Sequence, residues 1–358
     1  MSFGVILTRD AERAARCLRG IATQAVAGEV ILVLCEPDAS VRRLVADGIR
    51  GATVIDHGVD LGTVFAWQEV LDRARSPAIH FLHEDTELAG GCTRRLLDTL
   101  RATPDAGAVG GRTLNPDRSL QACGGVLWND AAGSPVVEPP GDEPFAVDSC
   151  QGACAVVGTA KLRQAGGFDP RFFPSYYVDA NMCMQLWHGG HAVLCDPRAE
   201  AVHARGAMLQ EDGGPFRGLR FRRFLVERNR RTFADKWAAA LRAHAARRDP
   251  LDASSVTRGE IDEALRRAEE RRSGPPPVAV PPLPRPQGDV AAHVRALRAR
   301  LVADFADELV RHEADLTAEL ERVHLAYASL LQEHDLQRER ANGAEAYAAS
   351  LRAELDRR

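Results

Sequence analysis

Four short β-rich runs recur at a near-constant pitch through the N-terminal third of the chain, each followed by a segment with helical spacing, and no other feature restricts the fold as tightly. The runs are "FGVILT" (Phe3–Thr8), "EVILVLCE" (Glu29–Glu36), "ATVIDHG" (Ala52–Gly58) and "AIHFLH" (Ala78–His83). The segments Ala11–Gln24, Asp38–Gly48, Gly62–Arg75 and Ala89–Thr103 place apolar residues at helical intervals among good helix formers. Such alternation predicts a parallel α/β sheet with helices on both faces. Ligands of such sheets bind at the carboxyl ends of the strands. Just past the fourth run, "HEDTEL" sets Glu84, Asp85 and Glu87 at that edge.

The 358 residues, 45% of them hydrophobic, can bury a substantial core, and the length suits one large domain with an appendage. Net charge is −4, and Lys161 and Lys236 are the only lysines, so no basic field exists to hold nucleic acid, which is not expected as a partner. The eight cysteines are scattered, without a CxxC pair, and no signal-like run opens the chain. Reduced, structural thiols and a cytoplasmic setting are expected. No apolar run reaches the ~18–20 residues of a membrane span, so any membrane contact is expected to be peripheral, at the inner face.

Past "AGAVGG" (Ala106–Gly111), a Gly/Pro-rich stretch to about Pro144 predicts short strands and loops. "HEDTE" is not H-E-x-x-H, because Glu87 stands where a second histidine would be needed, so a zinc-peptidase helix has no support. A nucleotidyltransferase would need a glycine-rich triphosphate loop after the first strand, and "ILTRDAERAARCLRG" lacks one.

Five short motifs then follow in order: "HEDTEL", "QGACAVVG" (151–158), "GGFDPRFF" (166–173), "YYVDANMCMQLWHGGH" (176–191) and "AEAVHARG" (199–206). With this order and spacing, the stretch from about Ser2 to Trp237 resembles the family 2 glycosyltransferases of GT-A fold, especially the branch using rhamnosyl, galactofuranosyl and similar donors. The resemblance implies an inverting, metal-dependent transferase of hexosyl or deoxyhexosyl type. It would move a sugar from a UDP- or dTDP-sugar to a saccharide or glycoconjugate acceptor. A departing pyrophosphate develops charge that Mn2+ or Mg2+ neutralises, and hard oxygen ligands suit such an ion. By the resemblance, Asp85 and His203 hold the metal, and Glu84 faces the donor sugar or ribose. Thr8 and Arg9 make the first nucleotide contacts. Glu36, or alternatively Asp38, lies near the base, and Asp60 and Gly62 belong to a third donor segment. Asp179 corresponds to an acid that deprotonates the acceptor hydroxyl, on the first turn of a helix whose dipole favours negative charge. Asp169 reads instead as a turn or cap residue. Gly152 gives a sugar close access to backbone or serves tight sheet packing, while Phe173, Tyr177 and Trp187 are candidates for an acceptor platform. The pattern departs from the family at His83, Val178 and Asn181, where acids or amides are usual. Those departures keep open an alternative, a catalytically inactive GT-A-like scaffold that oligomerises through its tail.

"RGLRFRRFLVERNRRTFADKWAAALRAHAARR" reads as a basic amphipathic helix with Leu219, Phe224, Leu225, Phe233, Trp237 and Leu241 available to one face. The expected organisation is a GT-A domain over 1–248, a helical extension over 249–272, a proline-rich linker over 273–288 and a coiled-coil helix over 289–358. In that last segment Leu309, Leu316, Val323 and Leu330 fall seven apart, Leu320 and Tyr327 fill the alternating position, and Glu313 and His334 interrupt the seam. A homodimer or a partner helix is expected to cover it.

Overall fold

The computed structural model describes residues 1–204, 218–250, 256–274 and 288–355, with side chains described through residue 325 and at 329. By contact these fall into two compact units, Met1–Ala299 and Arg300–Arg358. The first unit therefore runs past the expected end of the catalytic domain, through a helix at 258–273 and the first turns of the long helix. The proline-rich spacer lies almost wholly outside the described residues.

The first unit begins β1 (Ser2–Leu7), α1 (Ala11–Ala22), β2 (Glu29–Leu34), α2 (Ala39–Gly48), β3 (Thr53–Asp56), α3 (Gly62–Arg73) and β4 (Ala78–His83). These bounds follow the expected runs closely because each element has its own local period. β1 is buried throughout. Its residues Phe3, Val5 and Leu7 share one cluster with Cys17 and Ile21 of α1 and with Leu32, Leu34 and Leu82. On the opposite face a Cβ at Gly4 would stand 2.3 Å from Val70 Cγ1, so the missing side chain lets α3 approach the sheet. Asp10 caps α1 by accepting from the amides of Glu12 and Arg13.

The second half adds β5 (Thr86–Leu88), α4 (Cys92–Ala102), β6 (Ala106–Leu114), β7 (Leu120–Cys123), β8 (Gly125–Leu127), β9 (Gly133–Pro135), β10 (Phe145–Ala146), β11 (Ala155–Gly158), α5 (Thr159–Gln164), α6 (Val178–His188) and β12 (Ala192–His203). Ten of the described strands form one sheet with the path β10-β12-β6-β11-β4-β1-β2-β3, to which β5 and β7 add at β12 and β6, while β8 and β9 pair separately. β4, β1, β2 and β3 run parallel, and β11 is antiparallel to its neighbours. Strand order reverses direction between β1 and β4. Such a reversal opens a crevice at the carboxyl ends of the strands, and β12 ends beside it because His203 pairs in register with Thr86.

α7 (Leu219–Leu241) buries Phe221, Leu225, Asn229, Phe233, Trp237 and Leu241, a stripe with four-residue spacing. Leu219, expected on that face, is instead 84% exposed. α8 (Arg258–Ser273) opens with a reciprocal capping box between Thr257 and Glu260. It buries Ala264, Leu265 and Ala268, and its Arg271 pairs with the buried Asp148. The last helix, α9, spans Val290–Leu355. All eight cysteines are free and buried. No helix among the described residues is long and apolar enough to cross a membrane.

Candidate active site

At the strand reversal, Thr8 follows β1 and Glu84 follows β4. The Thr8 amide donates to Glu84 Oε2 at 2.6 Å, and the Thr8 hydroxyl donates to Oε1. Burial pushes the Glu84 carboxyl up to about 7 despite these bonds. Glu84 is thus turned back onto the first strand, where it joins the two strands flanking the crevice. Arg9 reaches Glu36 at 3.4 Å, and Asp60 accepts from the Gly62 amide at 2.8 Å. Gly62 has φ +59, and a Cβ there would lie 2.6 Å from the Pro174 carbonyl oxygen, so the start of α3 requires glycine.

Asp85 and His203 come together although they lie 118 positions apart in sequence. Asp85 is 7% exposed. Its Oδ1 is buried without a hydrogen-bond partner, and His203 Nε2 lies 3.5 Å away. Burial raises the Asp85 carboxyl to about 6. The other imidazole nitrogen, Nδ1, is 2.9 Å from Gln121 Oε1, which orients the ring. His83 lies against Trp67, ring centroids 5.2 Å apart, and burial together with the neighbouring His203 pushes its pKa down to about 3. It stands there as a neutral ring.

Asp179 occupies the first turn of α6, half-buried, and accepts from the Ala180 amide at 2.9 Å and the Gly152 amide at 3.4 Å. The candidate base and Gly152 are therefore neighbours. The close approach at Gly152 is made by protein: a Cβ would stand 1.9 Å from Trp67 Cη2. Of the two readings open for this glycine, tight packing is the one the geometry displays.

The aromatic platform does not gather. Phe173 is buried against Phe65, ring centroids 5.7 Å apart. Tyr177 donates its hydroxyl to the Ala131 carbonyl at 2.9 Å and packs on Phe233. Trp187 sits near the other end of α6 from Asp179, under the Arg271 guanidinium and edge-on to His244. Asp169 accepts from the Arg171 amide at 3.0 Å and pairs with Lys236 Nζ at 2.8 Å, which makes it a structural residue.

Sequence reasoning missed Trp67, Gln121, Asn229 and Lys236. Asn229 is fully buried and donates to the carbonyls of Phe172, Ser175 and Tyr176, tying α7 to the loop before α6. The one available signal was a buried-stripe position occupied by asparagine in an otherwise apolar four-residue series.

No protein-family model matches the chain, and no curated protein matches it in sequence. Among solved structures, it is similar to a crystal structure of GalNAc-T7 with UDP, GalNAc and Mn2+, with TM-score 0.50 and 13% identity over 76% of this chain and 54% of that one. The fold is GT-A. The chain spans about half the length of that relative, 54%. Two further likenesses are to the mannosyltransferase PcManGT from Pyrobaculum calidifontis in complex with GDP-Man and Mn2+ (TM-score 0.46, 15% identity, 86% of this chain and 79% of that one) and to S. aureus TarS (TM-score 0.40, 13% identity, 57% and 35%). In this GT-A domain the donor set at the crevice suits a hard divalent cation: one carboxylate oxygen, buried and accepting no hydrogen bond, beside an imidazole whose other nitrogen is held. Among the described residues no group of three or more His, Cys, Asp or Glu side chains is placed to hold a metal ion. The chain would thus supply Asp85 and His203 and leave other positions to ligand and water.

Proposed function

We propose that the chain is an inverting, metal-dependent glycosyltransferase of hexosyl or deoxyhexosyl type, akin to the family 2 branch its motifs resemble. The donor would be a UDP- or dTDP-sugar and the acceptor a saccharide or glycoconjugate. The observation that carries the reading is the pairing of a buried, unsatisfied Asp85 oxygen with His203 at the strand reversal. A buried carboxylate raised to about 6 is costly to ionise unless a cation arrives with the ligand. When bound, Mn2+ or Mg2+ would neutralise charge that develops on the leaving pyrophosphate. Asp85 and His203 would hold it, Glu84 fixes the floor between β1 and β4, and Arg9, Glu36 and Asp60 form the nucleotide side. Asp179 would accept the proton of the attacking hydroxyl, held in orientation by the Ala180 and Gly152 amides.

A second reading has its own observation. Asn181 bonds Lys236 and Trp237, and Val178 is buried, so two positions that carry acids in the resembled family serve packing here. An inactive nucleotide-binding scaffold would look the same at those positions. A thermal-shift screen of nucleotide sugars with and without Mn2+, followed by assay of nucleoside diphosphate release with candidate acceptors, separates the readings. Stabilisation by a nucleotide sugar only when Mn2+ is present, with turnover, supports the enzyme; stabilisation without turnover on any acceptor supports the scaffold; no stabilisation sinks both. The tail belongs to the proposal as a dimerisation element: Leu309, Leu316, Leu320 and Val323 are 37%, 58%, 59% and 54% exposed on the described part of the helix. A cytoplasmic location, with peripheral contact at the inner membrane face, goes with glycoconjugate acceptors.

A further inference from the structure

The first turns of α9 belong to the catalytic unit. Asp289 caps them by accepting from the Ala291 amide at 2.9 Å. Ala291 and Val294 are 6% and 1% exposed, and His293 lies edge-on to Phe65 of α3 with ring centroids 5.7 Å apart. This apolar seating fixes one side chain of the next turn over the crevice. Arg298 Nη1 donates to Glu36 Oε1 at 2.8 Å and Nη2 donates to Asp60 Oδ2 at 2.8 Å. Glu36 follows β2 and Asp60 precedes α3, so one planar guanidinium spans both acids beyond the carboxyl ends of neighbouring strands. The same Glu36 carries Arg9 on its other oxygen, and the same Asp60 carries the Gly62 amide. The result is a chain Arg9–Glu36–Arg298–Asp60 along the nucleotide side of the crevice.

Three features of Arg298 set it apart from an ordinary surface ion pair. The fork geometry of arginine lets two separate nitrogens each meet one carboxylate, a fixed spacing that the single nitrogen of lysine does not supply. The helix is held by Ala291, Val294 and His293, so the ion pairs are not needed to seat it. The Arg298 side chain keeps 37% of its surface exposed, and two of the five guanidinium N–H groups make the bonds described, which leaves donor capacity for a carbonyl or hydroxyl oxygen. Bare, the two acids would repel an anionic nucleotide; bridged, they become a fixed bracket of low net charge.

We propose that Arg298 is a nucleotide-recognition residue that holds Glu36 and Asp60 in place and donates to the base-and-ribose end of a nucleoside diphosphate. The inference rests on reading the crevice as a donor site. Its test is calorimetric titration of UDP, dTDP and inorganic pyrophosphate, each with Mn2+, into the full-length wild type, Arg298→Ala, Arg298→Lys and Asp85→Asn. Arg298→Ala should weaken the nucleoside diphosphates by about tenfold, the order expected for one charge-assisted hydrogen bond, with pyrophosphate changed by less than about twofold. Arg298→Lys should fall between, because it keeps the charge but not the two-nitrogen fork that fixes both acids. Asp85→Asn should weaken all three ligands. Unchanged nucleotide affinity in Arg298→Ala, or equal loss for pyrophosphate, overturns the proposal. Tighter binding in Arg298→Ala overturns it too and makes the residue a lock over the two acids. A wild type that binds none of the ligands defeats the donor-site reading itself, an outcome distinct from a wild type that binds them and an Arg298→Ala that binds equally well.

Discussion

The two sides of the crevice are built by different means. On the proposed donor side, Thr8, Glu36, Glu84 and Asp85 lie within two residues of a strand end, and the parallel register that pairs Ile6 with His83 puts the ends of β1 and β4 level. Position there comes from the backbone ladder. On the other side Asp179 rides on α6, whose setting depends on side chains of α7. Lys236 Nζ donates to Asp169 and Asn181 at 2.8 Å each and to Gln185 at 3.3 Å, and Trp237 Nε1 donates to Asn181 at 3.2 Å. A buried polar network of this kind is costly when broken and specific when complete. The strand-borne side should therefore lose chemistry while keeping its fold, and the helix-borne side should lose fold and chemistry together, except at Asp179 itself.

The sharpest break in that pattern is Asp179→Asn. The Asp179 Oδ1 accepts from the Ala180 amide and its Oδ2 from the longer Gly152 bond, so asparagine can keep the first and loses the second, and the variant should fold with only a modest loss of stability. Turnover should fall by about 10²–10⁴, the usual range for a general base, with donor affinity unchanged. Steady-state release of nucleoside diphosphate and calorimetry on the same sample check both halves; near-normal turnover moves the base elsewhere.

Next in size is Lys236→Ala. The lysine and Asp169 side chains are 6% and 3% exposed. Removing one partner of a buried pair costs about 3–5 kcal/mol, and Arg171 retains part of the compensation here, so about 3 kcal/mol is expected. The pH dependence carries a sign. Burial raises the Asp169 carboxyl, but Arg171 and Lys236 outweigh it, so its folded pKa lies below the usual value. Its contribution is complete above about pH 4 and is lost as pH falls through the lower folded value. Wild type and Lys236→Ala should thus differ most near neutrality and converge in acid, by chemical denaturation at a series of pH values. A constant difference across that range would remove Asp169 from the account.

Asp85→Asn and His203→Ala should each weaken Mn2+-dependent donor binding by about 10–100-fold, with thermal stability held or raised in Asp85→Asn because a buried carboxylate that resists ionisation is removed. Gln121→Ala should give a smaller loss in the same titration, since the imidazole keeps its position but not its orientation. Full donor affinity in both ligand variants would remove the metal from this edge.

What could be read in the sequence follows the same division. β1 to β4 and the helices between them were legible almost to the residue, because strand and helix periods are local. Glu84 and Asp85 were placed at the crevice edge by the rule for parallel sheets alone, and Thr8 by the resemblance. Contacts between distant segments had no local signal: Gln121 with His203, Lys236 with Asn181, Arg298 with Glu36 and Asp60. The aromatic residues failed for a related reason. Clustering in sequence says nothing about facing, and Phe173 turned into the core while Trp187 went to the far end of its helix. Asn181 looked like a lost acid and is the acceptor for a buried lysine, a role only α7 could reveal.

The smallest expected effect on chemistry is in the tail, and it separates the two units most cleanly. On the described helix Leu309, Leu316 and Val323 repeat at seven with Leu320 between them, and all four are exposed. A stripe of this kind is unfavourable in water unless another helix covers it, and a second copy of the same stripe is the simplest cover. A chain ended at Ala299 keeps Arg298 and the seated turns, whereas one ended at Gly288 loses them. Light scattering should therefore give a dimer for the full chain and a monomer for both truncations. Nucleotide affinity should stay within about twofold of wild type when the chain ends at Ala299 and fall with the Arg298→Ala variant when it ends at Gly288. A full-length monomer would sink the dimer. Equal affinities in the two truncations would show that the first turns of the last helix, though seated on the first unit, take no part in binding.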